Sequence, residues 1–276
     1  MIKEIIDKLV ALLAVSALLA SCSESELWQN PQTEARDGYI MLNFKTEIPA
    51  MQEVVTRAVD PDGGGVQDMT LFCFDSYGLF ISTVKAGVTV QKPGPGEMEG
   101  TFKAEVPENT RTIHFLANQN MDEFKEDSFR NKSESEVMAV LEGSSGRMIY
   151  WGRFACDAGN DSNIAEQMAT SGNSVKLIRN HARISVDNPD NNGHIVITGF
   201  AVCNTNAFGT VAPHHPKKGF DFTWPSSDDP FVTLPVNDAK MSDITDVTSS
   251  MNQYVFECEN SADAPVSVIL RGHLPD

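Results

Sequence analysis

The sequence predicts an all-β protein: two antiparallel β-sandwiches in tandem, the second incomplete, with one or two short helices. Three observations predict it. Apolar and polar residues alternate with period two through most of the chain after residue 37, turn formers separate these runs at short intervals, and stretches of helical period are few. Neither helical stretch is long enough to be the crossover of a parallel sheet, which leaves antiparallel sheets packed face to face.

The elements follow in order. Ile40, Leu42 and Phe44 alternate with Tyr39, Met41 and Asn43, the pattern of a half-buried strand. Asp68 to Phe74 is apolar on both faces, as a central sandwich strand requires. Ser76-Tyr77-Gly78 makes a turn into Leu79 to Val84, a hairpin signal. Phe102, Ala104 and Val106 alternate with Thr101, Lys103 and Glu105, and Ile113, Phe115 and Ala117 do the same before Asn118. Ser133 caps a short helix through Glu134, Val137, Met138, Val140 and Leu141, with Gly143 as its stop, and Ile164 to Met168 forms another turn of helix.

Val175 to Val186 reads as one long strand with Arg179 and Arg183 on one phase; its apolar set changes face near Ile178, which predicts a bulge. Asp187 to Gly193 is dense in turn formers and marks a boundary. Beyond it, strands are expected at His194 to Val202, Tyr254 to Cys258 and Pro265 to Leu270, around a loop-rich region from Pro213 to Thr248. The expected organisation is a leader at 1–21, a tether with the first strand at 22–57, an N-terminal sandwich at 58–190 and a partial C-terminal sandwich at 191–276. Three strands make that second unit thin beside the seven or so of a typical sandwich.

Composition narrows the function classes. An apolar fraction of 41% with 8% aromatics in 276 residues supplies real cores and excludes a disordered chain. The net charge is -17, and no basic run is longer than Lys217-Lys218, so the surface repels phosphate backbones and nucleic-acid binding is excluded.

At the N-terminus, Lys3 and Lys8 precede an apolar run from Leu9 to Ala20. As a helix it spans about 18 Å, short of the roughly 30 Å of a bilayer core, so it reads as an export signal and not as a membrane-spanning anchor. It ends Leu19-Ala20-Ser21-Cys22, which resembles the lipobox of bacterial lipoproteins, where the Cys is acylated and becomes the new N-terminus. Two or three acyl chains on Cys22 give stable attachment where one does not. The polar stretch from Ser23 to Asp37 fits a tether.

Chemistry is sought without success. Cys73, Cys156, Cys203 and Cys258 allow three disulfide pairings, but Cys73 and Cys258 lie in apolar strand patterns and read as buried hydrophobes; no C-x-x-C spacing supports zinc. Gly143-Ser144-Ser145-Gly146 lacks the spacing of a nucleophile elbow. His214 and His215 are adjacent and cannot both face one metal from a regular element. Asp187 to Gly193 lacks the ligand order and closing Glu of a calcium loop. No catalytic residue, metal or cofactor is expected.

Several segments together resemble the fimbrillin family, lipoprotein subunits of surface fimbriae in anaerobic Gram-negative bacteria. They are the lipobox, Thr56-Arg57-Ala58, Met69 to Gly78, Ile113 to Asn118, Val175 to Ile184, Tyr254 to Asn260 and Ser267 to Gly272. The resemblance implies two transthyretin-like sandwiches, delivery to the outer membrane as a lipoprotein through Cys22, and a cut by an Arg-specific protease between Arg57 and Ala58. Arg36 is the rival site, but a cut there leaves the first strand attached. The cut discards lipid and first strand, and a strand from another fimbrial subunit fills the groove of Ile40, Leu42 and Phe44. That exchange treats the first strand as the sheet's leading edge; a strand woven between two partners along Tyr39 to Phe44 would rule it out.

Re-covering three such side chains is worth about 5 to 9 kcal/mol, against a total domain stability of about 5 to 15 kcal/mol. The donated strand of the family lies after a complete second domain, so this chain is either a shortened form of a longer subunit or an accessory subunit that accepts a strand without donating one. The alternative reading is a monomeric surface lipoprotein that binds a glycan or host protein, for which Trp151 and Trp224 as exposed aromatics are the hint.

Overall fold

The structure is a computed structural model and describes residues 35–48, 66–91, 100–122, 124–144, 148–186, 195–215, 230–238 and 252–274. The leader, Cys22, Trp28, Arg57, Ala58, Trp224 and the turn-rich stretch 187–193 lie outside the described residues.

The protein is an all-β sandwich built from a four-stranded and a five-stranded sheet. Sheet A has the order β4 (Gly87–Gln91), β5 (Gly100–Pro107), β1 (Tyr39–Glu47), β9 (Ser174–Lys176). Sheet B has the order β10 (Ile178–Arg179), β8 (Tyr150–Ala155), β6 (Thr112–Ala117), β2 (Met69–Phe74), β3 (Phe80–Lys85). The pairings are antiparallel except that of β1 with β9, which is parallel.

Both edges of the sandwich are corners where the chain changes sheet. β3 passes through Ala86 into β4, and β9 passes through Leu177 into β10. Leu177 is fully buried and its N–H still bonds the Glu47 carbonyl at 2.7 Å. Gly152 of β8 faces this corner: a Cβ there would meet the Lys176 carbonyl at 2.6 Å, so only glycine lets the two sheets approach so closely.

The corner corrects the long strand expected from Val175 to Val186. That stretch is three short strands, β9, β10 and β11 (His181–Ser185), in three different sheets. The change of apolar face near Ile178 marks a change of sheet and not a bulge.

Two apolar layers result. Between the sheets lie Leu42, Phe44, Leu71, Phe102, Phe115, Val175 and Leu177. The outer face of sheet B carries a second cluster with Phe72, Phe74, Phe80, Phe129, Trp151 and Ile178, which explains why β2 and β6 are buried at every residue. Helix α1 (Glu134–Ala139) covers this face. Ser133 caps it with a capping box to Glu136, but the helix stops at Ala139, and Gly143 belongs to strand β7 (Glu142–Ser144) and is not its terminator. Helix α2 (Ile164–Thr170) lies against the inner core, capped in the same way by Asn163 and Glu166.

Beyond Ser185 the expected partial sandwich is represented among the described residues by β12 (Val196–Cys203), β13 (Phe208–Thr210), β14 (Asn252–Phe256) and β15 (Ser267–His273). They form two-stranded ribbons: β12 with β15, β11 with β14 and β7 with β13. Two of these ribbons join the two halves of the sequence, and Val211, Ala212 and Val232 complete the outer core of sheet B.

Candidate functional site

Strand β1 combines a buried side-chain face with a main chain whose strand pairing, among the described residues, differs on its two sides. Ile40, Leu42 and Phe44 point into the inner core and are buried. The Phe44 ring stacks on Phe102 at 5.5 Å and meets Phe115 edge-on at 5.0 Å, so this one side chain fills space between both sheets. Met41 is buried as well, and Ile48 extends the buried row beyond the strand.

Main-chain pairing differs on the two sides. With β5 the register runs unbroken from Tyr39↔Pro107 to Thr46↔Gly100. With β9 it covers only Lys45, Thr46 and Glu47. The expectation that β1 is the outermost strand is therefore corrected. After α2 the chain returns as β9 alongside the end of β1, anchored by Lys45 N–H to the Asn173 carbonyl at 2.7 Å and by the Ser174 hydroxyl to Glu47 at 2.5 Å. Along Tyr39 to Phe44, β5 is the single strand partner among the described residues.

Arg36 fastens the entry to β1. Its Nε donates to Glu105 at 2.7 Å, its guanidinium lies 4.4 Å over the Tyr39 ring, and its carbonyl accepts from Tyr39 N–H at 3.0 Å. The side chain is 68% exposed, so the ion pair adds little to stability. Gly38, with φ +79°, makes the turn between them.

Sequence reasoning missed a buried polar network on the outer face of sheet B. The Trp151 indole N–H donates to His114 Nδ1 at 3.1 Å. That leaves the proton on Nε2, which donates to Glu134 at 2.7 Å. Arg153 closes the network with two bonds to the same carboxylate, at 2.6 and 3.0 Å. Burial holds His114 neutral, below its ordinary value, against the opposing pull of Glu134. Burial alone would raise the Glu134 carboxyl, but the bonds from His114 and Arg153 outweigh it and bring it to about 2. The signal in the sequence was a histidine inside a strand that is apolar on both faces. Trp151, expected at the surface, is fully buried here, which removes it as a hint of ligand binding.

A second feature lies where the halves of the chain meet. Gly143 and Gly209 stand opposite each other in the β7–β13 ribbon, and the Phe256 ring of β14 lies against both. His181 packs on that ring with 3.9 Å between centroids and donates from Nδ1 to Asn180 at 2.7 Å. Burial pushes His181 down to about 4.

His214 and His215 occupy a loop with rings 4.3 Å apart, and the His214 ring contacts the Val232 carbonyl. Among the described residues no group of three His, Cys, Asp or Glu side chains could hold a metal ion. Cys73, Cys156, Cys203 and Cys258 are free thiols, and burial raises that of Cys73 to about 12, far from nucleophilic use.

No protein-family model matches the chain, and no curated protein matches it by sequence. Solved structures do resemble it. A candidate cell adhesion protein from Parabacteroides distasonis overlaps 85% of this chain and 75% of its own, with 14% identity and a TM-score of 0.47. A candidate cell adhesion protein from Bacteroides eggerthii overlaps 85% of this chain and 79% of its own, with 12% identity and a TM-score of 0.42. The tip fimbrial protein Mfa3 from Porphyromonas gingivalis, in a C-terminally truncated form, overlaps 81% of this chain and 71% of its own, with 14% identity and a TM-score of 0.46.

Proposed function

We propose that the chain is a structural subunit of a cell-surface fimbria that supports adhesion. It is exported as a lipoprotein acylated at Cys22, cut between Arg57 and Ala58 by an Arg-specific protease, and assembled with other fimbrial subunits when a neighbour's strand takes the place of β1. The observation that carries this reading is the geometry of β1. Its inward side chains fill the middle of the inner core, while along Tyr39 to Phe44 its main chain is tied to β5 alone among the described residues.

Removing β1 opens a slot between β5 and β9, lined by the apolar groups that Ile40, Leu42 and Phe44 had covered. An extended strand with the same alternation would satisfy both the ladder of β5 and that lining. The stub of β9 beyond Lys45 then fixes where the incoming strand stops. The segment that separates β1 from β2 contains Arg57, so a cut there frees β1 without touching the rest of the sheet.

N-terminal sequencing of material released from the cell surface tests the reading. A start at Ala58 is expected, and an acylated Cys22 on the assembled form would overturn it. Arg57→Ala should fold normally and remain monomeric; detergent-resistant ladders that persist in this variant would count against the cut site.

A further inference from the structure

Arg36 stands where the chain enters β1, and the peptide bond that follows it is folded away. The Arg36 carbonyl accepts from Tyr39 N–H at 3.0 Å, which closes a tight turn over Asp37 and Gly38. Gly38 holds φ +79°, and its own carbonyl accepts from Glu108 N–H at 3.0 Å. Glu105 takes both the main-chain N–H of Arg36, at 3.2 Å, and its Nε, at 2.7 Å. Just beyond the turn, Ile40 is buried in the inner core and pairs with Val106.

An endoprotease needs the residues on both sides of the bond it cuts in an extended conformation, with the basic side chain in its own pocket. At Arg36 the side chain, the main-chain N–H and the carbonyl are all committed to Glu105 or to the turn. Glu105 and Val106 belong to β5 and Glu108 follows it, so these partners stay behind when β1 leaves.

We propose that Arg36–Asp37 is a second, conditional cleavage site, closed while β1 sits in the sandwich and opened when β1 leaves it. This rests on the reading that β1 is expelled after the cut at Arg57. The step is a hydrolysis by the same class of Arg-specific protease. The C–N bond breaks, and water gives its hydroxyl to the Arg36 carbonyl carbon and a proton to the Asp37 nitrogen.

Until that cut, the expelled strand is still joined to the acylated Cys22 and is held near the groove it vacated, at high effective concentration. Cleavage at Arg36 separates the strand from its tether, so it is diluted away and no longer competes with the incoming strand. The order of the two cuts is built into the fold. In the intact protein, cleavage at Arg36 follows the small population in which the entry to β1 is open. Giving up the turn, the Glu105 bonds and the cover over Ile40 should slow it at least about a hundred-fold relative to a free peptide.

Treating the full chain with an Arg-specific endoprotease and following the products by mass spectrometry tests this. In the wild type, fragments that start at Ala58 should come first, and fragments that start at Asp37 should follow after a lag. In Arg57→Ala, which keeps β1 attached, the Asp37 terminus should form at least about a hundred-fold more slowly than from a synthetic peptide of residues 30–44. Adding Leu42→Ala to Arg57→Ala loosens β1 and should speed that cut about ten-fold or more. Should the double variant fail to fold, Glu105→Gln in place of Leu42→Ala loosens only the Arg36 contact and should speed it about two- to five-fold.

The proposal is overturned if Arg57→Ala is cut at Arg36 at the rate of the peptide, or if loosening β1 leaves the rate unchanged. It is also overturned if the cut at Arg36 in Arg57→Ala is as slow as the cut after Arg153, whose side chain is only 5% exposed in sheet B, because Arg36 would then open only with the whole fold. Absence of an Ala58 product is a different failure. It refutes the cut at Arg57, while the rates in the Arg57→Ala proteins still decide whether β1 guards Arg36.

Discussion

His114 has no freedom of tautomer, because the Trp151 N–H reaches Nδ1 and the Glu134 carboxylate takes the Nε2 proton. Glu134 in turn is what pairs Arg153, whose side chain is only 5% exposed. Glu134→Gln removes the carboxylate charge that this buried guanidinium bonds twice and should lower unfolding free energy by about 3 kcal/mol, measured by urea denaturation at pH 7. His114, His181 and Glu134 set the acid sensitivity of the fold. Their folded values lie below their ordinary ones, so the unfolded chain binds more protons in the intervening range, and stability is present above that range and lost as pH falls through it. For His181 the loss runs from about 6.5 down to about 4, and for Glu134 from about 4.5 down to about 2. Urea midpoints taken from pH 7 to pH 3 should fall in those two stages, and a flat profile would contradict the assigned protonation states.

At the scale of elements, close approach decides more than propensity. The β7–β13 ribbon exists because two glycines meet across it and admit the Phe256 ring. Gly209→Ala places a methyl group inside that ring's contact shell, so β14 must move; a loss of about 1 to 3 kcal/mol is expected from thermal or urea unfolding. Strand β8 was illegible for a related reason. Tyr150 to Ala155 shows no clean alternation, because both faces of sheet B are covered and Gly152 is demanded by the neighbouring corner. The alternation of β1 and β5 was legible because one face of each is more exposed, and the capping boxes of α1 and α2 are local signals that need no tertiary context.

On the scale of the whole molecule, a net charge of -17 makes copies of the chain repel. Screening shortens that repulsion from about 30 Å at 0.01 M salt to about 8 Å at 0.15 M. If assembly proceeds by strand exchange as proposed, light scattering from the cut protein should rise faster at the higher salt; a rate indifferent to salt would show that charge is no brake on assembly. Joining of the two halves also belongs to this scale. Ribbons that pair β7 with β13 and β11 with β14 bring together residues far apart in the chain, and no local pattern announces them.

Period-two alternation, turn chemistry and helix caps are short-range properties, and from them the all-β class, the inward face of β1 and the positions of both helices could be read directly. Which strand lies beside which could not. The parallel return of β9, the two corners at Ala86 and Leu177, and the burial of His114 and Trp151 depend on contacts between distant segments, where the free energy of packing overrides local preference.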